Sequence, residues 1–575
     1  MRRTMTTTTT MSISSLLLLS GCIQDLLDQG AALAPDTETA ASTTSTGEPP
    51  TPTTSDEANS SPVATVTGPP DETTSPSTTQ DPGTTMGVEE NLPPAIELFA
   101  VSPKHLSEAG PAELQLVVSA DVVKVRLSLD GMKLTDDLKP MDFPHAWDAL
   151  SAKDNGDTRI FEVVVEDAEG LTAMATTELS VQLPQPGAEK CLFEDKEANS
   201  SVISALKYTD DAIIAEGSRD TGAGLRLTVW KLDPDTCQPL PAWPKTLANW
   251  SAQPGLAAMT SLGTAVDVDE DGNIVVAGNF LVAGKLQSYV VLLNPGGSLL
   301  WEKLGQVGDE VTGVAAATAQ FKNRVFVVGS QQTSDVPVRT DAAIWTYLAI
   351  DGAVSIGSSL TLKAPFTPDE FDPDVNNKYS ERVRAVVLQP DTGNALAVGE
   401  REFSPDGNKT YIRAFTVQAH PLGGVVGTPW TSWAPSFVHD AVRSVALCGD
   451  DVLAGGWTRD QPADAKPQPM MFWIEDDGAS MKHRHEPQLG STEINGMACD
   501  REAKIISAAT RDTGARDARV FTVPGQDGPH TLYETGAAGD DGAGAVACDW
   551  RGFCGWGGYR TINAKMVAVV RVHHP

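Results

Sequence analysis

The clearest pattern in the chain is a short apolar run that ends in Gly or Ala and recurs from residue 187 onward. Each run follows another β-type run and precedes a third, and several are followed by a fourth, of which SLLWEKLG is the clearest. Short apolar runs bounded by turn residues indicate β-strands. The residues that end the runs stand 49 to 70 positions apart: Gly217, Gly278, Gly329, Gly399, Gly456, Ala509 and Gly558.

Four strands in each of seven units predict a seven-bladed β-propeller over residues 187–575. The last unit stops at its third strand, AKMVAVVRVHHP, whereas EKCLFEDKE precedes the first unit. We therefore expect residues 190–196 to pair with residues 565–572. That pairing would close the ring and remove an exposed sheet edge.

Two further segments precede the repeats. Residues 93–186 contain runs such as ELQLVVS and VVKVRLSLDG between Gly, Asp and Pro turns, which predicts an antiparallel β-sandwich. Residues 22–92 are rich in Thr, Ser, Pro and acid, and they hold too little apolar surface to offset the entropy of ordering. The predicted class is therefore all-β, with a disordered tether, a sandwich and a propeller in that order.

The first 21 residues have the pattern of a signal peptide. Arg2 and Arg3 precede the apolar stretch 13–19, which is far shorter than the ~20 residues of a membrane-spanning helix. Leu19-Ser20-Gly21-Cys22 resembles the lipobox of bacterial lipoproteins, and the resemblance implies lipidation of Cys22, with palmitate among the acyl chains. Ile23, rather than Asp, then implies the outer membrane, facing either the periplasm or the exterior. The alternative is an ordinary secretory signal with an incidental cysteine.

The charge balance narrows the set of partners. The chain has 42 Lys and Arg against 76 Asp and Glu, which gives a net charge of -34. Such a charge argues against nucleic-acid binding and against direct docking on an anionic membrane.

An Arg-Asp pair recurs just after the second strand of the units, as in GSRDTGAG and ATRDTGAR. Acids recur where the first strand begins. Because both loops of a blade lie on the same face, we expect ion pairs within blades, with a charged ring around a ligand as the alternative. The predicted pairs are Arg401 with Glu381, Arg459 with Asp440, Arg511 with Glu493 and Arg560 with Asp541.

One unit is longer than the others by a segment, residues 364–380, that we expect to overhang the face with the Arg–acid loops. Its oxygen-bearing side chains could coordinate calcium, although acid-rich loops are often merely solvated. No other cofactor is indicated. The candidate ligands are Asp369, Glu370, Asp372, Asp374, Asn376 and Asn377.

Six cysteines remain after Cys22, an even number that suits an oxidising compartment. Cys548 with Cys554 and Cys191 with Cys237 are candidate disulfides. Three others, Cys448, Cys499 and Cys548, end first strands, where free buried thiols are the alternative. The chain has no GxSxG, HExxH or glycine-rich phosphate loop, so no catalytic residue is predicted.

The whole order of segments resembles the multidomain lipoproteins of Gram-negative bacteria. VEDAEGLTA resembles a turn of their immunoglobulin-like domains, and DVDEDGNIVVAGNF resembles the DxxGNxxVAG repeats of secreted propellers. The resemblance implies a fold and a location more than an activity. Our first hypothesis for the function is a monomeric, non-enzymatic surface protein whose propeller face binds a protein or a polymer such as a polysaccharide. LLNPGGSLLWEK also resembles the tryptophan-docking repeats of quinoproteins, with Trp301 at the docking position, so a quinoprotein-like or other ligand-dependent propeller enzyme is the alternative.

Overall fold

The computed structural model describes residues 92–574 with short gaps. Within this range, the residues Pro94 onward belong to one compact unit. The gaps fall at 150–153, 186, 254, 317–323, 336–337, 354–359, 363–378, 390, 404–410, 422–424, 432–438, 450, 460–465, 475–480, 486–490, 501–504, 513–515, 524–529 and 535–539.

The first described region forms two sheets around one apolar core. Side chains alternate between buried and exposed along the strands, as in β3, so each sheet turns one face inward. Leu114 of the first sheet and Phe161 of the second are both fully buried in this core. The sheets have the strand orders β1-β3-β6 and β2-β8-β7-β4-β5: β1 Ile96–Ser102, β2 His105–Leu106, β3 Gly110–Val118, β4 Val122–Leu129, β5 Met132–Leu138, β6 His145–Ala149, β7 Gly156–Asp167 and β8 Thr172–Val181.

The following strands form successive four-stranded antiparallel units, numbered here 1 to 7. Units 1 to 3 comprise β10 Ser200–Tyr208, β11 Ile213–Asp220, β12 Leu225–Leu232 and β13 Lys245–Thr246; β14 Ser261–Val268, β15 Ile274–Val282, β16 Lys285–Leu293 and β17 Leu299–Val307; and β18 Asp309–Ala316, β19 Arg324–Asp335, β20 Val338–Leu348 and β21 Leu360–Leu362. A single α-helical turn, Leu247–Trp250, follows β13.

Units 4 and 5 are joined by one bridge between Ile412 and His439. Unit 7 takes its fourth strand from the start of the region. Units 4 to 7 comprise β22 Tyr379–Leu388, β23 Ala395–Phe403, β24 Tyr411–Ala419 and β25 Val425–Thr431; β26 His439–Cys448, β27 Asp451–Arg459, β28 Gln468–Ile474 and β29 Met481–His485; β30 Thr492–Cys499, β31 Ile505–Asp512, β32 Arg516–Val523 and β33 His530–Glu534; and β34 Gly542–Cys548, β35 Cys554–Ile562, β36 Lys565–His573 and β9 Glu189–Glu194.

The units are arranged as a closed ring. The first strand of each unit contacts the first strand of the next, and β34 of unit 7 contacts β10 of unit 1. The predicted closure is confirmed, because β9 pairs antiparallel with β36 from Val569 opposite Glu194 to His573 opposite Glu189. A ring of four-stranded sheets around a central channel is a β-propeller-like fold.

Each of the seven first strands contains a bulge, and the bulge explains the recurring glycine. In unit 3 the register shifts between Val311 and Gly313, opposite Gly329. A Cβ at Gly329 would collide with the backbone carbonyl of Glu310. The same collision would occur at Gly217, Gly456 and Gly558, so the residue that ends the apolar run is glycine where the strands approach this closely.

Candidate functional site

The bulges of the seven first strands lie at equivalent positions around the channel. A bulge re-aims its side chain, so these residues differ in orientation from their neighbours. Two of them bond to the next unit: Thr312 Oγ1 donates to Val383 O at 2.6 Å, and Asn495 Nδ2 donates to Ala543 O at 3.0 Å. The bulge residues are Ser204, Thr264, Thr312, Arg384, Arg443, Asn495 and Gly544.

Units 4 and 5 depart from the small or neutral bulge residues of the other units. Their arginines, Arg384 and Arg443, meet at the carboxylate of Glu400, which directly follows Gly399 in unit 4. Arg384 Nε donates to Glu400 Oε1 at 3.1 Å, and Arg443 Nη1 lies 3.7 Å from Glu400 Oε2. Arg382 completes the group, with Nε 3.9 Å from Glu310 Oε2 of unit 3. We call Arg382, Arg384, Arg443 and Glu400 the channel arginine cluster.

Burial and charge act in opposite directions on Glu400. Burial raises the pKa of this carboxyl group, but the positive charges of Arg384, Arg443 and Arg382 outweigh burial and hold the pKa at about 2. Burial also lowers the pKa of Arg443, an effect that Glu400 partly offsets and Arg384 reinforces. The cluster is therefore a buried, positively charged site held together by one ionised carboxylate.

Sequence reasoning missed this cluster. The signal lay in the polar residue within the apolar runs ERVRAVVL and DAVRSVAL, where Arg384 and Arg443 hold the same place. An alternating strand pattern does not reveal a bulge, so the sequence did not show that these side chains turn to the channel.

Two of the predicted Arg–acid pairs lie close together in the structure. Arg401 Nε is 3.3 Å from Glu381 Oε1, and both side chains are buried. Burial raises the pKa of Glu381 to about 8, although Arg401 lowers it in part. Arg560 Nε is 3.9 Å from Asp541 Oδ2, but its Nη1 donates at 3.0 Å to Glu194 of the closing strand β9.

The predicted pair of Arg459 with Asp440 is wrong. The residue equivalent to Arg401 in unit 5 is Thr458, which stands opposite Asp440 and donates to its Oδ1 at 2.8 Å. Asp440 is also ion-paired with Arg413 at 3.7 Å. Arg459 is one residue out of register and so points to the other face, where its guanidinium lies 5.1 Å from the ring centre of Trp457.

The predicted pair of Arg511 with Glu493 stays a prediction, although the backbone register does not place the two residues opposite each other. Arg511 stands opposite Thr492, whereas Glu493 stands opposite Thr510. The Arg511 side chain lies outside what the structure describes. Glu493 instead raises the pKa of Arg443 through its charge, against the larger lowering by burial.

The first unit uses an acid that the sequence pattern did not single out. Arg219 binds Asp195 through two hydrogen bonds, from Nε at 2.7 Å and from Nη2 at 3.0 Å. Asp195 directly follows the closing strand β9, so the repeated arginine ties that strand to unit 1. Together with the Arg560–Glu194 bond, this pair favours architecture as the role of the repeat.

Several predicted site residues lie outside the described residues. These are the lipidation site Cys22 and the candidate calcium ligands Asp369, Glu370, Asp372, Asp374, Asn376 and Asn377. Within the described residues, no group of three or more His, Cys, Asp or Glu side chains could hold a metal ion. No helix in that same part of the chain is long and apolar enough to cross a bilayer.

Three disulfides join the remaining cysteines. Cys191 of β9 is bonded to Cys237, and Cys548 is bonded to Cys554 across the β34–β35 turn. Cys448 is bonded to Cys499, which links the ends of two neighbouring first strands. The sequence suggested no bond between Cys448 and Cys499, because free thiols at first-strand ends explain the same spacing.

A cavity of about 420 Å³ lies where the seven first strands end. Its wall is mainly aliphatic, and its charged groups are Lys207 and Asp267, whose Nζ and Oδ1 are 2.6 Å apart. Tyr208 is the aromatic residue of the wall. Trp301 lies elsewhere, on β17, where its Nε1 donates to Ala349 O at 2.8 Å.

Comparison with known proteins shows no family for this chain. No protein-family profile matches the chain, and no curated protein matches it. Among solved structures, a Dyadobacter fermentans protein of unknown function is 12% identical, with 67% of this chain and 98% of that chain covered and a TM-score of 0.39. Sqt1 of Chaetomium thermophilum, bound to the N-terminus of ribosomal protein L10, is 14% identical, with 67% and 99% covered and a TM-score of 0.38.

A third solved structure, the polysaccharide lyase Uly1, is 12% identical, with 64% of this chain and 89% of that chain covered and a TM-score of 0.40. At these identities and scores, the likenesses carry no inference about ligand or activity. The assignment to a β-propeller-like class rests on the ring of units itself.

Proposed function

We propose that this chain is a lipid-anchored, extracytoplasmic binding protein of a Gram-negative bacterium. In this proposal, units 1 to 7 are the blades of a seven-bladed propeller, and residues 93–186 are an immunoglobulin-like spacer that follows the tether predicted over residues 22–92. The propeller face binds a protein or polymer partner. The protein is monomeric, and no catalytic step is assigned to it.

The observation that carries the proposal is the use of the cysteines. The chain has seven, and six of them form the three disulfides, so Cys22 is the one left over. Disulfides form and persist outside the reducing cytoplasm. A lone cysteine directly after a signal-like segment is the position that a lipid anchor requires, and acyl chains hold a protein at a membrane through ~0.8 kcal/mol for each buried methylene.

The charged groups of the channel favour binding over acid–base chemistry. Glu400 is held ionised by arginines, and Lys207 is paired with Asp267. A general acid or base works best with a pKa near the working pH, so a carboxylate held ionised at neutral pH is better suited to positioning a ligand. The quinoprotein-like alternative has one supporting contact, the docked Trp301, but the cavity wall offers Tyr208 alone as a stacking aromatic. The described wall of this cavity therefore supplies one ring for stacking a quinone.

The binding function is tested with the full chain immobilised through its C-terminus. Envelope fractions of a Gram-negative host are passed over it before and after protease or glycosidase treatment. We expect saturable retention that one of the two treatments removes, which also identifies the partner as protein or polysaccharide. A reduced and alkylated sample, whose disulfides are broken, is the control. Retention equal to that of the control would contradict the proposal.

A further inference from the structure

The channel arginine cluster is a site that neither the repeat nor the closure of the ring requires. We propose that it binds an oxyanion, namely a carboxylate, phosphate or sulfate group of a ligand that enters the channel. This proposal goes beyond the proposed function, since it holds whether or not the chain is anchored to a membrane.

The first argument is the count of charges in contact. In the described part of the chain, the guanidinium groups of Arg382, Arg384 and Arg443 are ion-paired with two carboxylates, those of Glu400 and Glu310. Glu310 also interacts with Ser330, whose hydroxyl donates to Glu310 Oε2 at 3.1 Å. Glu493 acts on Arg443 as well, with a weaker effect on its pKa than either Glu400 or Arg384. Against the rise caused by burial, Arg382 also lowers the pKa of Glu402 through its charge. Two carboxylates within ion-pair distance thus contact three guanidinium groups, while Glu402 and Glu493 act on the cluster through their charge alone.

The second argument is the surplus of hydrogen-bond donors. Each guanidinium carries five N–H groups and accepts nothing. Among the described residues, Arg443 Nη1 and Arg382 Nε are buried and have no hydrogen-bond partner. The Arg443 side chain is only 10% exposed, so bulk water reaches little of it. Buried charged donors are stabilised when an acceptor reaches them, and a planar or tetrahedral oxyanion matches the guanidinium fork.

The third argument is access. Arg382 is 26% exposed, whereas Arg384 is 5% exposed, so the cluster is open on the Arg382 side and closed behind. The other units place small or neutral residues at the bulge. An oxyanion bound at the cluster would accept hydrogen bonds from Arg382 Nε and Arg443 Nη1.

The test is isothermal titration of the full chain in detergent with sodium phosphate, sodium sulfate and sodium glucuronate, each against chloride at equal ionic strength. We expect saturable binding of at least one oxyanion, and the strongest of the three identifies the group. Arg443→Gln should weaken that binding at least tenfold. The matched control, Arg219→Gln, removes an arginine from unit 1 and should bind as the wild type does. No saturable binding to the wild type, or equal binding by Arg443→Gln, would overturn the proposal.

A second measurement covers the case in which Arg443→Gln does not fold. Crystals of the wild-type protein are soaked in sodium selenate, and the anomalous signal of selenium is recorded. A peak between Arg382 and Arg443 supports the site. Water alone at that place, in crystals that show selenate elsewhere, would overturn it. Neither result bears on the envelope-binding test, so the two proposals can fail separately.

Discussion

At the scale of single residues, the number of partners decides how a buried carboxyl group behaves in this protein. Glu400 lies among three arginines, which outweigh its burial and hold its pKa at about 2. Glu381 has one arginine beside it, Arg401, and burial raises the pKa of Glu381 to about 8. Glu216 is fully buried between units 1 and 2, against Gly263, and burial raises its pKa well above the usual range. One residue type therefore spans the range from ionised to neutral.

Glu216 predicts a pH dependence of stability. Burial raises the pKa of Glu216 in the folded protein above the ordinary value of 4.5, so the folded protein keeps a proton that the unfolded chain releases. The free energy of unfolding is therefore highest below pH 4.5 and falls as the pH rises toward the folded pKa. Glu216→Gln removes this titration, so the free energy of unfolding of the variant, relative to that of the wild type, should rise by about 1.4 kcal/mol for each pH unit in that window. Calorimetric melting between pH 4.5 and 8 measures the gain. The exposed Glu270→Gln is the control, and a gain for Glu216→Gln that does not change with pH would contradict the account.

The sequence allowed the residue types of the ion pairs to be predicted but not all of their partners. Arg401 and Glu381 are ion-paired as expected. Arg459 does not stand opposite Asp440, because it lies one residue after Thr458, the position equivalent to Arg401. A one-residue shift turns a side chain to the other face of a strand, and the short repeats of the sequence do not fix the register to one residue.

At the scale of elements, the strands and their closure follow from apolar periodicity, while the bulges do not. The apolar runs predicted the second strands and the pairing of β9 with β36. The bulge in each first strand was invisible, because an extra residue leaves the composition of the run unchanged. The channel arginine cluster depends on those bulges, which is why the sequence did not reveal it.

The closing strand β9 supplies a matched test of the ring. Asp195 N donates to Ala568 O at 3.0 Å, and backbone donors alternate in direction along a strand, so the N–H of Phe193 faces β36 and that of Leu192 faces away. Phe193→Pro should lower the melting temperature well below that of Phe193→Ala, which loses only the side chain. Leu192→Pro should lower the melting temperature less than Phe193→Pro does, because it removes no backbone hydrogen bond to β36. Equal melting temperatures for Phe193→Pro and Phe193→Ala would contradict closure through β9.

At the scale of the whole molecule, the chain carries a net charge of -34, yet three arginines lie in one cluster in the channel. A net charge of this sign argues against direct docking on anionic surfaces. Repulsion between exposed charges is screened beyond about 10 Å at moderate salt, so a small oxyanion can reach the cluster while an extended anionic surface is kept away. Three disulfides fix the closing strand, two neighbouring first strands and the last turn.

The proposed location of the protein rests on the seven cysteines taken together. Intact-mass spectrometry of the full chain, expressed in a Gram-negative host and extracted in detergent without reductant, tests that account most directly. We predict a chain that begins at Cys22, carries the added mass of its acyl groups and shows no free thiol on alkylation. A chain that begins at another residue, or one in which Cys22 is a free thiol, would contradict the lipid anchor.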